Sequence, residues 1–358
     1  MPASISQVQE EVSGGVRSWD TNSKKPKCTY EDITSIENLL AAWQEFVKGK
    51  GSRSDVQQFK LHLMNNILSL HCDLSRRIYR HGGYLAFKIS DPKPRDIHKA
   101  TVRDRLLHHA IYRQLYPHFD RTFIADSYSC RKEKGTHKSM ERFRSYAYQV
   151  SKNNTRTCYV LKCDIRKFFA SIDQEILIDI LRMYISDENI LWLIQRVVGS
   201  FSSTEAGKGL PLGNLTSQLL VNVYMNEMDQ FAKHKLKARH YIRYADDFVF
   251  LSDDRIWLES LIPRIELFLQ ERLKLELHPK KVSIGTLSAG VDFLGWVHFP
   301  DHRVLRTTAK RRMLKSLEAY PSPETVVSYR GMLTHGNTHK LSERISSISA
   351  IRAADPRR

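Results

Sequence analysis

The sequence lacks any long hydrophobic run. Apolar stretches such as Ile190 to Ile194 fall far short of the roughly 20 residues that a membrane-spanning helix needs. Its start, MPASISQVQEEV, has no basic-then-apolar order of a secretion signal, so a cytoplasmic location without membrane contact is expected. Cysteine is sparse: Cys28, Cys72, Cys130, Cys158 and Cys163. The count is odd and no CxxC pair occurs, which argues against a disulfide framework or a zinc knuckle. Fifteen histidines are present without an HExxH pattern, and none is assigned to a metal. Internal repeats and low-complexity tracts are missing too.

What the chain has in excess is positive charge. Lysine and arginine number 56 against 39 acidic residues, a formal net charge of +17 over 358 residues. Such a surface is rewarded by a polyanion, because phosphates release counterions when basic side chains neutralise them. Charge alone does not separate an enzyme acting on nucleic acid from a passive binder. With 41% hydrophobic residues the chain can also bury a sizeable core.

Periodicity divides the chain into mixed elements. Residues 1–30 are polar and expected to be poorly ordered. Helical spacing covers 35–48. Val56, Phe59, Leu63, Ile67, Leu70, Leu74 and Ile78 predict one long amphipathic helix over 55–79, capped by Asp55 and stopped by His81-Gly82-Gly83. A strand fits 84–89, a turn 91–95, and helices 101–116 and 136–150. A buried strand over 158–164 ends in a carboxylate. Helices fit 173–184 and 187–198, a glycine-containing loop 207–213, and a helix 217–237. Two apolar runs around Asp246-Asp247 predict a tight hairpin over 241–251. A helix over 255–273, a strand over 291–299 and a basic helical tail from about 308 complete the reading. Interleaved strands and helices point to an α+β fold.

Asp164 and the Asp246-Asp247 pair each sit where a short apolar strand meets a turn. Buried carboxylates are costly unless paired or bound to metal. A few such hard oxygen ligands, with substrate phosphates, suit two Mg²⁺ ions. Taken singly, each element reads equally well as an ordinary turn aspartate.

Together, in order, these segments resemble those of reverse transcriptases. Tyr244-Ala245-Asp246-Asp247 resembles their YxDD box (here YADD), and Lys162 to Phe169 their first catalytic segment, D-x-x-x-x-[FY]. Gly209 to Gln218 resembles the G-x-P-x-G loop, Leu277 to Lys281 the lysine-bearing segment, and Val291 to Trp296 the primer-grip turn. Lys88 to Arg95 and Ala100 to Arg105 look like fingers segments, and Ser127 to Arg131 like the second fingers motif. A four-letter box alone is weak; seven ordered segments are strong.

The resemblance implies a right-hand polymerase: an N-terminal extension with helices over 1–83, fingers and palm (antiparallel sheet plus helices) over 84–300, and a helical thumb over 301–358. It implies RNA-directed DNA synthesis with two Mg²⁺ ions, for which Mn²⁺ is a possible substitute. Asp164 and Asp246 would ligate both, Asp247 would support them, and the Ile165 carbonyl would complete one shell. Lys88 and Arg95 would hold triphosphate oxygens, with Arg the better fork. Phe169 would lie under the sugar, Gly213 would admit close backbone approach, and Gln218 would belong to the same nucleotide-facing loop. Lys281, with Lys280 as an equal neighbour, would stay near the leaving pyrophosphate. Template RNA, primer, cDNA and dNTPs are the implied partners.

Where many reverse transcriptases have Pro-Gln-Gly, this chain has Pro211-Leu212-Gly213, followed by Asn214 to Gln218. That variant resembles the diversity-generating retroelement branch, which copies a template RNA with frequent errors at adenines and works with a basic accessory variability protein. Leu212 cannot donate the hydrogen bond that a glutamine supplies, which links it to low fidelity. Rival readings are an enzyme of a group II intron, retron or phage-defence system, and a catalytically silent RNA-binding scaffold. No HNH-like, RNase H or zinc motif occurs, so integration is expected to need other factors.

Overall fold

The structure is a computed structural model that describes residues 26–89, 94–319 and 322–354. Of the disorder expected over 1–30, residues 1–25 lie outside the described residues, as does most of the 91–95 turn, whereas Thr29 caps a helix that begins at the buried Tyr30. Among the described residues four helices come first: α1 (Tyr30–Thr34), α2 (Ile36–Val47), α3 (Ser54–Leu61) and α4 (Leu63–Ser75). The hairpin β1 (Tyr84–Ile89) and β2 (Arg95–Ala100) follows, then α5 (Val102–Thr122) and α6 (Thr136–Val150). Next come β3 (Tyr159–Asp164), a single turn α7 (Phe168–Ser171), α8 (Gln174–Tyr184), α9 (Glu188–Val198) and α10 (Leu215–Gln230), which runs on through a π turn, Phe231–Lys235. The hairpin β4 (Tyr241–Tyr244) and β5 (Asp247–Ser252) precedes α11 (Arg255–Leu273), β6 (Ser283–Thr286), β7 (Val291–Phe293), β8 (Trp296–His298) and β9 (Arg303–Leu305). Three helices end the chain: α12 (Thr307–Ala319), α13 (Pro323–Leu333) and α14 (His339–Ala354).

Many helix starts are written locally. Asp173 accepts from the N–H groups of Glu175 and Ile176, and Asp187 from Asn189 and Ile190. These caps satisfy amides that the first helical turn leaves without partners.

The central sheet is antiparallel, in the order β4-β5-β3-β6. Its alternate side chains face two apolar layers. On one side Leu161, Cys163, Tyr241, Phe248 and Phe250 join α5, α8 to α11 and the N-terminal helices in one large core. On the other, Val160, Ile242, Val249 and Leu251 pack on Phe143 of α6 and Phe293 of β7. The N-terminal helices therefore share the core of the central unit. They are also tied to it by charge: Asp55 pairs with Lys99 and Arg105, each at 2.6 Å, and Asp73 with Arg103 at 2.6 Å. A third cluster joins Met140, Trp296 and Leu305 to the C-terminal helices through Met313, Leu317, Leu333 and Ile345.

The α+β architecture and most element positions agree with the sequence reading, with four differences. The helix expected over 55–79 is two, broken at His62 (φ −119°, ψ 35°), where Asn66 Nδ2 donates to the Phe59 carbonyl at 2.9 Å. Asp55 is not the cap: Arg53 holds that position, and the Asp55 carboxylate serves the ion pairs instead. The helix ends at Ser75, and the chain turns through Arg77 at φ 55°, so Tyr79 goes inward while Ile78 is left exposed. The strand over 291–299 is a hairpin. Leu294 (φ 52°) and Gly295 (φ 86°) form its two-residue turn, and positive φ at both positions matches the right-handed strand twist.

Gly336, in the turn before α14, lies against the indole of Trp296, and a Cβ there would collide with the ring. Gly336→Ala is expected to cost about 1–3 kcal/mol through overpacking. Gly331→Ala, with open space around it inside α13, leaves stability equal or slightly higher. Thermal unfolding of the two variants checks the contrast.

Candidate active site

The site forms at one end of the central sheet. β3 runs through the buried Val160, Leu161 and Cys163 and finishes at Asp164. Its partner β5 begins at Asp247, and the register sets Asp164 directly opposite Asp247. Tyr244 pairs with Asp247 across the β4–β5 hairpin, so Ala245 and Asp246 are its turn. Ala245 sits at φ 56°, a conformation that favours glycine. Thus two carboxylates separated by 247 − 164 = 83 positions in the sequence face each other, with a third, Asp246, beside them.

Like charges placed opposite across a strand pair destabilise each other. Burial and the neighbouring Asp247 and Asp164 carboxylates push the Asp246 carboxyl up to about 6. Partial relief comes from Lys281, whose Nζ lies 2.9 and 3.0 Å from the two oxygens of Asp164. The lysine is held there by backbone. His278 N–H donates to the Asp164 carbonyl at 2.8 Å, and Lys281 N–H to the His278 carbonyl at 2.9 Å. The ammonium on Asp164 is that of Lys281, while Lys280 contributes its backbone N–H, which donates to His278 Nδ1 at 3.2 Å. Geometry thus separates two lysines that the sequence left equal. Ile165 lies opposite Leu277 in an isolated bridge whose bonds use the Asp164 carbonyl and Arg166 N–H, not the Ile165 carbonyl.

Among the described residues, no three His, Cys, Asp or Glu side chains already form a metal cage. Asp164 is engaged by an ammonium instead. The donor set nevertheless fits a divalent cation. The carboxylate oxygens are hard, they gather at one sheet end, and one is occupied by a positive group standing where cation charge is required.

The other expected residues lie on the β1–β2 hairpin, the glycine loop and the helices that follow β3 and that loop. Lys88 and Arg95 are exposed on the β1–β2 hairpin, and Lys88 pairs across with Asp96. Among the described residues neither is ion-paired with the carboxylate cluster. The hairpin is fastened to the glycine loop: His98 N–H donates to the Leu212 carbonyl at 3.1 Å, and Asn214 Nδ2 to the His98 carbonyl at 2.8 Å. Gly213 has φ 101°, and a Cβ there would meet Ile97 at 3.0 Å. The close approach this glycine permits within the chain is therefore to β2. Phe168 is buried in the core, whereas Phe169 is half-buried and meets it edge-on, with ring centroids 5.5 Å apart. Gln218 is half-buried in the first turn of α10.

Sequence reasoning missed the group beneath the hairpin. Arg243 is fully buried and forms a two-pronged pair with the equally buried Asp229, both bonds being 2.7 Å. It also donates to Asn222 Oδ1, Ser127 Oγ and the Ala245 carbonyl at 3.2, 3.0 and 3.2 Å. Tyr241 donates to Asp229 as well. The available signal was an arginine inside a strand whose neighbours are all apolar or aromatic. Lys162 was passed over too: its Nζ donates to the Asp292 carbonyl at 2.9 Å and lies 3.9 Å from Asp247.

An antiparallel sheet presenting three carboxylates and an ammonium at one end, beside a basic hairpin, is the palm of a right-hand polymerase. Residues 89–298 match the family described as reverse transcriptase (RNA-dependent DNA polymerase), and the chain belongs to that family. Protein YkfC of Escherichia coli is 25% identical over 65% of this chain and 68% of its own length. The group II intron-encoded protein LtrA of Lactococcus lactis is 23% identical over 64% of this chain and 47% of its own, so the chain spans about half of that relative. Among solved structures, a Candida albicans telomerase in complex with a fragment of telomeric RNA superposes with a TM-score of 0.48 at 11% identity, covering 69% of this chain and 51% of the telomerase chain. No helix among the described residues is long and apolar enough to cross a membrane.

Replacing Arg243 by Met leaves Asp229 buried without its partner, and a loss of about 3–5 kcal/mol is expected. Replacing both with apolar residues of similar size recovers much of that loss. Denaturant titration of the single and double variants measures it.

Proposed function

We propose that the chain copies a template RNA into cDNA by extending a primer 3′-end with dNTPs, using two divalent metal ions, Mg²⁺ with Mn²⁺ as substitute. The observation that carries this reading is the register opposing Asp164 to Asp247 with Asp246 in the adjoining turn. Asp164 and Asp246 would hold both ions, Asp247 would support them, and the Ile165 carbonyl, unused by its bridge, would complete one shell. Bound there, the ions supply charge stabilisation to the attacking 3′-oxygen and the leaving pyrophosphate.

The chain's own residues align the reactants and balance charge. Lys88 and Arg95 hold the triphosphate from the exposed hairpin. Phe169 lies under the sugar and selects against a 2′-hydroxyl. Gly213, Leu212 and Gln218 face the nascent base pair. Lys281, whose ammonium now neutralises Asp164, would be placed to hold a proton near the leaving phosphates.

The finer proposal is mutagenic copying in a diversity-generating retroelement, with a basic accessory variability protein as partner. It is supported by Pro211-Leu212-Gly213 and the sequence through Gln218. The similarity to LtrA favours, as second reading, a group II intron enzyme. DNA made from the native template distinguishes them: errors concentrated at adenines support the first.

Asp246→Asn is expected to abolish primer extension on a primed RNA with Mg²⁺ while RNA binding by gel shift stays within about twofold. Full extension by that variant would discard the site. Leu212→Gln is expected to lower misincorporation opposite template adenine several-fold, since one polar contact is worth about 1 kcal/mol. Unchanged error rates would clear Leu212 of any part in fidelity.

A further inference from the structure

A cavity of about 310 Å³ lies away from the carboxylates, between α6, the β8–β9 connection and the turn of residues 334–337. None of its lining residues belongs to the candidate active site. Two arginines line it, Arg144 on α6 and Arg303 on β9. Arg303 donates through Nε to the His335 carbonyl. Among the described residues neither guanidinium is paired with a carboxylate. Partial burial, and after it the positive field of Arg144, hold the Arg303 guanidinium below its usual range, with Glu141 acting in the opposite direction. Burial pushes the lining His298 down to about 4, so it is neutral at physiological pH and the charge comes from the arginines. Asp301, at the lip, is the one acidic lining residue, and it accepts from Asn154 Nδ2 at 3.4 Å.

Aromatic rings form part of the remaining lining. Phe299 stacks on His302 with centroids 4.8 Å apart and planes 11° from parallel, and Phe143 forms the floor. Asn337 adds a side-chain amide. Two arginines lining one cavity suit a phosphate, because each guanidinium presents several donors. A flat aromatic wall suits a heterocyclic base. The volume lies at the small end of ligand pockets.

We propose that this cavity is a second nucleotide site that binds a nucleoside monophosphate, the phosphate between Arg144 and Arg303 and the base against Phe299 and His302. Since residues 334–337 lie between α13 and α14 while the other walls belong to α6 and the β8–β9 sheet, an occupant would brace the C-terminal helices against that sheet. The shared chemistry has two sources, a free nucleotide or the terminal nucleotide of a strand.

The test is binding of AMP to the full chain by calorimetry in EDTA. Arg144 is exposed, so Arg144→Glu should fold normally, and it is expected to weaken AMP at least tenfold. Arg144→Lys should weaken it less, and Lys88→Gln with Arg95→Gln should leave it unchanged. Primer extension by Arg144→Glu at saturating dNTP should match the parent, which separates this site from the catalytic reading. Unaltered AMP binding in Arg144→Glu, or loss of binding in the Lys88 and Arg95 variant, would overturn the proposal. So would inorganic phosphate binding as tightly as AMP. Competition of AMP by a primed duplex assigns the site to a strand end; simultaneous binding assigns it to free nucleotide.

Discussion

The hairpin that carries Asp246 and Asp247 rests on a buried ion pair. Arg243 and Asp229 are both sealed from solvent. The guanidinium spends its donors on a carboxylate, an amide, a hydroxyl and the carbonyl of Ala245 in the turn. A buried charge pair tolerates little displacement, because any loosened bond leaves a charge uncompensated in a medium that screens poorly. The turn bearing Asp246 therefore takes its place from α10 and the segment around Ser127, not only from its own strands. That rigidity suits a site in which like charges must be held close against their repulsion.

A second constraint joins the parts that would handle the incoming nucleotide. The β1–β2 hairpin and the glycine loop are stitched by His98, Leu212 and Asn214, and Gly213 leaves room for Ile97. Movement of the basic hairpin thus pulls on the loop beside it. Asp55 extends the chain of contacts outward, since Lys99 on β2 and Arg105 on α5 share its carboxylate. The N-terminal helices are in this way mechanically tied to the hairpin and the glycine loop.

Much of this was legible in the sequence because it is local. Period-two and period-3.6 patterns located β3, the β4–β5 hairpin and helices such as α6 and α11. Asp164 and Asp246 stood out as carboxylates ending apolar runs. Non-local facts were hidden. Nothing in a linear pattern distinguishes Lys281 from Lys280, because the choice depends on a backbone turn docking on the end of β3. The break at His62 depends on Asn66 reaching back to Phe59. Arg243 looked like an exception within an apolar strand, and its partner Asp229 lay in a separate helix.

The strand β9 pairs with β8 on the far side of residue 300, while α12 begins at Thr307, two residues past the strand's end. The C-terminal helices are thus hung directly from a sheet that also carries the Val291–Trp296 turn. A fragment ending near residue 300 would strip β8 of its outer neighbour and bare Trp296. Such a fragment would carry a raw edge inviting self-association, so its behaviour would say little about the intact protein.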